Sequence, residues 1–337
     1  MRIVAVDDLK PGMILGKTIL GNQGQILLRQ GVTLTEGYIE HLKKYAIVAV
    51  YISTGRGVVV EDVISDETRI KALQGTREVL TQVKRGAPLE VEKVNQVLVE
   101  VIDELLLQDD IIINLVDLRS FSEDLFSHSV NVSILAAIIG IELRYDRSQL
   151  KDLALAALLH DIGLLFAADQ DITDHPRLGS DYLQDSGRVS PSIGETVLQH
   201  HERWDGNGYP RKLKENQIHE RARVISVANV FDRLSANNRY PMEEVIEYLM
   251  AKSGSEFEPR IVRKFLDCVS FYPVGTVVEL NTGERGVVVQ SNKGFPTRPV
   301  VRIEKNMYGE EVSPGYNIDL VEKMTYFVRK KLDENLV

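Results

Sequence analysis

Five of the seven histidines in this 337-residue chain, His128, His160, His175, His200 and His201, fall between residues 128 and 201. Histidine nitrogens and aspartate oxygens together are ligands that catalytic first-row metals take, and a site built from them can leave positions open for water. Asp124 and His128 stand at i and i+4, so on one helix starting near Ser122 they would project from the same face, a turn apart. His160 and Asp161 close the apolar run Leu158-Leu159-His160-Asp161-Ile162-Gly163, where the glycine permits a sharp exit from a helix. Neighbouring helical residues point about 100° apart, so His160 can serve one ion while the two oxygens of Asp161 reach towards a second. His175 precedes Pro176 in what reads as a loop. His200 and His201 close a helix that starts near Ile193 and lead into Glu202-Arg203-Trp204-Asp205-Gly206-Asn207-Gly208-Tyr209-Pro210. The backbone of that glycine-rich string can approach a ligand closely, and Trp204 and Tyr209 offer flat faces on which a base could stack.

Taken singly, each residue has a plainer reading. His128 or His175 alone would be an ordinary structural histidine, Asp124 a helix cap and Tyr209 a packing aromatic. His160-Asp161 is harder to set aside, because burying an ionised aspartate without a partner costs several kcal/mol. His41 and His219 lack such company and read as surface residues.

The elements that must hold these residues are mostly helical. The pattern from residue 121 to 271 is helical almost throughout, and two stretches, 130–143 and 153–165, are apolar nearly all round, which places them inside a helical bundle. Ahead of it, residues 61–116 carry two helical patterns broken at Gly86-Ala87-Pro88, with Ile70, Leu73, Val79, Leu80 and Val83 on one and Val94, Val97, Leu98, Val101 and Leu105 on the other. They read as a helical linker over 56–120, serving either as a solvent bridge or as an arm for a homodimer. Residues 1–55 read as a small β-rich module, with strands near 2–6, 25–28 and 48–52 and a helix over 35–44 capped by Thr33 or Thr35, its Ile39 and Leu42 facing the strands. Beyond Tyr272-Pro273 the texture turns to β again, and residues 273–337 read as a small hairpin unit with a C-terminal tail. Each terminal module could bind a protein partner or simply cap the bundle. The fold class expected is therefore mainly α, a helical domain over 121–272 flanked by two small β-rich modules.

Bulk properties narrow the function classes. A formal charge of −9 opposes a role in coating nucleic acid polymers but leaves room for a small anionic ligand at a local patch. The single cysteine, Cys268, sits among apolar neighbours and reads as a buried core thiol of a reducing compartment. No secretion signal is visible at the start, and the apolar runs 111–113 and 134–141 fall far short of a membrane span, so the chain is expected in the cytoplasm and off the membrane.

His128-Ser129, Ala156-Ala157-Leu158-Leu159-His160-Asp161-Ile162-Gly163, His175-Pro176 and above all His200-His201-Glu202-Arg203-Trp204-Asp205-Gly206-Asn207-Gly208-Tyr209-Pro210 together resemble the HD-GYP family, over roughly residues 121–271. Lys10-Pro11-Gly12-Met13 and Gly31-Val32-Thr33-Leu34-Thr35 look like the extension that often precedes such domains. The resemblance implies a helical HD domain with two or three iron or manganese ions that hydrolyses cyclic di-GMP to pGpG and then GMP through a metal-activated bridging water. Carried over by position, His128, His160, Asp161, His175, His200 and His201 are ligands, with Asp161 bridging and catalytic together with His160. Asp124 takes the place of the carboxylate that recruits a third ion in some members, and Gly208, Tyr209 and Pro210 form the substrate-side loop.

Three positions depart from the family pattern. Asn229 stands where an Asp is usual, and a neutral amide oxygen binds a hard divalent ion less tightly, although Asp232 lies one turn away. Leu164 replaces a phosphate-binding Lys. Asn238-Arg239-Tyr240-Pro241 replaces an Arg-Pro-Tyr stretch and leaves Arg239 as the nearby cation for substrate. These exchanges keep two alternatives beside the phosphodiesterase: a degenerate domain that senses a nucleotide or binds a protein, and a hydrolase of another cyclic dinucleotide or phosphoester.

Overall fold

The computed structural model describes residues 1–21, 24–45, 47, 49–53, 62–108, 110–113, 124–167, 172–236, 240 and 242–332. In the N-terminal module, β1 (Arg2–Ala5) pairs antiparallel with β4 (Ala49–Ile52), and β2 (Ile19–Leu20) with β3 (Ile26–Leu28). Helix α1 (Glu36–Lys44) starts at Thr35, whose hydroxyl accepts from the Tyr38 N–H, and it buries Ile39 and Leu42 against Val4, Leu15, Leu34 and Val50. This small core is separate from the rest of the molecule's apolar interior.

Helices α2 (Asp66–Lys84) and α3 (Val91–Leu106) form the expected pair, but their apolar faces are spent differently from either expectation. Leu73, Val79, Leu80, Val83, Val94, Leu98, Val101 and Leu105 lie in one continuous core with α4 (Leu125–Glu142), α5 (Arg147–Leu159), α8 (Glu220–Ser235), α9 (Met242–Ala251) and α10 (Pro259–Asp267). The apolar faces of the pair are thus packed into the bundle core. Helices α6 (His175–Ser186) and α7 (Pro191–Gln199) complete the bundle on the side of the histidines. Helix α4 is apolar and long enough to cross a bilayer by composition alone, yet it is buried from Ser127 to Gly140 as the central helix of the bundle.

The C-terminal unit is larger than a hairpin and a tail. It is a five-stranded antiparallel sheet in the order β8-β7-β6-β5-β9, from β5 (Val277–Leu280), β6 (Arg285–Gln290), β7 (Val300–Lys305), β8 (Glu311–Asp319) and β9 (Val328–Lys331). The N-terminal module touches it directly: Ile3 N–H donates to the Gly275 carbonyl at 3.2 Å, and Arg2 pairs with Glu304 at 2.5 Å.

Candidate metal centre

The site is assembled from the ends of four helices. Asp124 caps α4, one carboxylate oxygen accepting from the N–H groups of Phe126 at 3.0 Å and Ser127 at 3.1 Å, and this cap sets the helix phase that turns His128 inward. Helix α5 begins with a capping box between Asp146 and Gln149 and ends at His160, after which Asp161 leaves the helical conformation at φ −99°, ψ 12°. Gly163 follows, and a β-carbon there would lie 2.0 Å from the His175 carbonyl oxygen, so the turn can press against the start of α6 only because it has none. That approach sets His175 beside Asp161. His175 is not in a loop: it is the first residue of α6, because Pro176 has the φ of a first helical turn and needs no N–H partner there. His200 ends α7, and His201 follows it.

Four imidazoles are oriented alike. The Nδ1 atoms of His160, His175 and His200 lie 2.7, 2.6 and 2.6 Å from the carbonyl oxygens of Ala157, Ile172 and Val197. A carbonyl only accepts, so each Nδ1 carries a proton there, and Nε2 is the nitrogen turned to the cluster. His128 Nδ1 is held by Asp232 at 2.7 Å, and Asp232 is itself fixed by the Asn131 amide at 3.0 Å. The free nitrogens converge on Asp161. Its Oδ1 lies 3.1 Å from His175 Nε2 and 3.5 Å from His200 Nε2, and its Oδ2 lies 3.4 Å from His160 Nε2 and 3.7 Å from His128 Nε2.

All of this is dry: His160 and Asp161 are fully buried and His200 nearly so. Burial pushes the imidazoles of His160 and His201 down, and that of His200 to about 4, so these rings are neutral near pH 7. Burial alone pushes Asp161 up, yet its carboxyl is held well below the usual carboxylate range, with the Arg233 guanidinium donating to Oδ2 at 2.7 Å. Among the described residues, Asp161 Oδ1 and the Nε2 atoms of His128 and His160 have no hydrogen-bond partner, and His175 Nε2 faces His200 Nε2 at 3.2 Å. Lone pairs crowded in this way repel one another unless a cation stands among them. Two ligand sets share the aspartate: Asp161, His175, His200 and His201 on one side, His128, His160 and Asp161 on the other. These residues fit divalent metal ions.

The remaining expected residues fall variously. Tyr209 stacks on His201 with ring centres 4.8 Å apart, its hydroxyl pushed up to about 12 by burial. Gly208 lets the loop fold back on itself, since a β-carbon there would meet Arg203 N at 2.3 Å, and Pro210 follows the tyrosine in this turn. Buried Glu202 ties the loop down by accepting from the N–H groups of Arg211 at 2.6 Å and Leu213 at 3.0 Å. Trp204 is committed elsewhere: the Arg223 guanidinium covers its ring at 5.5 Å, and Arg223 is paired with Glu258, so that face stacks no base. Asp124 is occupied as a cap and belongs to neither ligand set. Arg239 lies outside the described residues. His41 is exposed as expected, whereas His219 is half-buried and caps α8, its Nδ1 accepting from the Arg221 N–H at 3.2 Å. Cys268 is buried, and burial pushes its thiol up to about 12, as suits a core residue.

Sequence reasoning missed Arg233. Its Nη2 donates to Asp161 Oδ2 at 2.7 Å and its Nε to Asn229 Oδ1 at 2.8 Å, which brings a permanent cation into the cluster. The available signal was the i, i+4 spacing of Asn229 and Arg233 on α8, which puts both on one face.

Comparison with known proteins agrees with this geometry. The HD domain family model matches residues 110–261, and a model described as a KOW domain associated with the HD domain matches 277–337. A cyclic di-GMP phosphodiesterase of Pseudomonas aeruginosa is 29% identical over 255 residues, covering 70% of this chain and 61% of that protein. A 3'3'-cGAMP-specific phosphodiesterase of Vibrio cholerae is 36% identical over 117 residues, 33% of this chain and 22% of that protein. Among solved structures, an HD-GYP-type protein of Bdellovibrio bacteriovorus superposes with a TM-score of 0.51 at 19% identity, over 78% of this chain and 97% of that one, a likeness of fold alone. The chain spans about three fifths of the length of the first curated relatives it matches, 61% and 60%.

Proposed function

We propose that this chain, whose residues 110–261 match the HD domain family model, is a metal-dependent phosphodiesterase of the HD-GYP type that opens cyclic di-GMP to pGpG and then to GMP. The observation that carries the reading is the shared orientation of four imidazoles, each tied through Nδ1 and each aiming Nε2 at Asp161. A divalent cation, when bound there, acidifies water and neutralises phosphate oxygens, and iron or manganese suits a set of imidazoles with one carboxylate. The chain's own part is to hold that set rigid and dry. The Arg233 guanidinium, 2.7 Å from Oδ2, supports the charge on Asp161, and the backbone carbonyls and Asp232 keep the rings from turning. The loop of Gly208, Tyr209 and Pro210, anchored by Glu202, supplies a wall beside His201 against which a nucleotide can lie.

The test is a product assay on the metal-loaded chain with cyclic di-GMP, resolved by chromatography. Linear pGpG followed by GMP is expected, with both products absent from His160→Ala and Asp161→Ala. Metal-loaded protein that leaves cyclic di-GMP and related cyclic dinucleotides uncut would defeat the proposal.

Two observations favour other readings of the same pocket. The Asn229–Arg233 pair at Asp161 suits a domain that binds a nucleotide and does not cleave it, in which case titration would show binding without product. The Vibrio cholerae relative that acts on 3'3'-cGAMP makes that dinucleotide the second substrate to assay side by side with cyclic di-GMP.

A further inference from the structure

We propose that the guanidinium of Arg233 is a built-in cation that stands in for a divalent ion on the His128–His160 side of Asp161, so that the protein binds one divalent ion rather than a pair. The proposal rests on the metal-centre reading above. On the Oδ1 side, Asp161, His175, His200 and His201 converge with no cationic group of the described residues among them, and the facing Nε2 atoms of His175 and His200 at 3.2 Å call for an ion. On the Oδ2 side the chain has already supplied one. Arg233 projects from α8 one turn beyond Asn229, and its fork spans the two oxygens that an ion on this side would need, Asn229 Oδ1 at 2.8 Å and Asp161 Oδ2 at 2.7 Å.

Three features make the substitution self-consistent. Arginine does not lose its proton, so the positive charge is permanent. Asn229 is neutral and buried, so it accepts a hydrogen bond from Nε without adding a charge that would draw in an ion. An ion on that side would have to share Asp161 Oδ2 with the guanidinium and would otherwise meet only the Nε2 atoms of His128 and His160, two ligands where catalytic metal sites use three from the protein. Asp232 then serves as the partner of His128 Nδ1 and contributes no oxygen to an ion in place of Asn229. A divalent ion could enter this half only in competition with the guanidinium for its carboxylate.

The full chain, stripped with a chelator and titrated with Mn(II), tests this by elemental analysis and electron paramagnetic resonance. One Mn(II) per chain is expected, with the hyperfine pattern of an isolated ion. The double variant Asn229→Asp with Arg233→Ala should take up a second Mn(II) and show a spin-coupled spectrum. Two ions per unaltered chain, or a folded double variant that stops at one, would overturn the proposal. The unaltered chain decides the first point even if the double variant fails to fold. Uptake of no Mn(II) at all by the unaltered chain would instead sink the metal-centre reading, and the proposal with it.

Discussion

On the Oδ1 side of Asp161 the chain delivers imidazole nitrogens whose protons are committed to backbone carbonyls, whereas on the Oδ2 side it delivers an imidazole pair together with a guanidinium. Both sides answer one problem, a buried carboxylate crowded by lone pairs, and they answer it differently. The first is left in want of a cation from solution. The second is partly satisfied by Arg233 at 2.7 Å, reaching over from α8. Counting histidines and aspartates alone therefore leaves out a basic side chain of the same protein that reaches the same oxygens.

The comparison breaks most sharply under ligand deletion. His200→Ala should weaken Mn(II) binding by well over about 100-fold, more than the 10- to 100-fold typical of losing only a ligand's supporting partner. His128→Ala should leave the affinity within about threefold, since on this account its side holds Arg233. Calorimetric titration of both variants reads the contrast, and equal losses would erase the distinction between the two sides.

Next in size is the close approach that creates the first side. Gly163→Ala places a methyl 2.0 Å from the His175 carbonyl, backbone that cannot yield as a flexible side chain would. A loss of about 1–3 kcal/mol in stability is expected from overpacking of this kind, read as a lower urea midpoint. An unchanged midpoint would mean that the turn and α6 do not need this contact.

A smaller effect follows pH. In the metal-free chain burial holds His200 at about 4, down from the ordinary 6.5, so below about 6.5 the unfolded chain takes up a proton that the folded chain refuses. Stability should therefore be fullest above 6.5 and decline as pH falls from there towards 4. His160 and His201, also pushed down by burial, act with the same sign. Urea midpoints at neutral and mildly acid pH check this, and a midpoint that rose on acidification would contradict the neutral rings. Smallest of all, Asp232→Asn should change Mn(II) affinity by less than about threefold, because the His128 that it orients would not be gripping an ion.

Much of this was legible in the chain. His160-Asp161-Ile162-Gly163 and the string from His200 to Pro210 announce themselves by residue type, and the all-apolar stretches identified the central helices α4 and α5. The cap Thr35 and the inward face of α1 followed from local rules alone. What escaped reading depended on tertiary partners. An apolar stripe does not say which surface it covers, so α2 and α3 read as an arm although they pack into the bundle. Strand β8 is mostly exposed and β9 is the short charged run Val-Arg-Lys-Lys, so neither shows the alternation that betrays a half-buried strand. Pro176 suggested a loop at His175 where it opens a helix. Trp204 looked free for stacking until Arg223, 19 positions further on, proved to cover it. Arg233 was passed over because its i, i+4 spacing from Asn229 places both on one face but does not tell that the fork will meet an aspartate 72 residues earlier.

The most direct measurement is anomalous diffraction at the manganese edge from crystals grown with Mn(II). The account predicts a peak within ligand distance of Asp161 Oδ1 and the Nε2 atoms of His175 and His200. A map without density there, with those nitrogens engaged by protein or water hydrogen bonds instead, would contradict it.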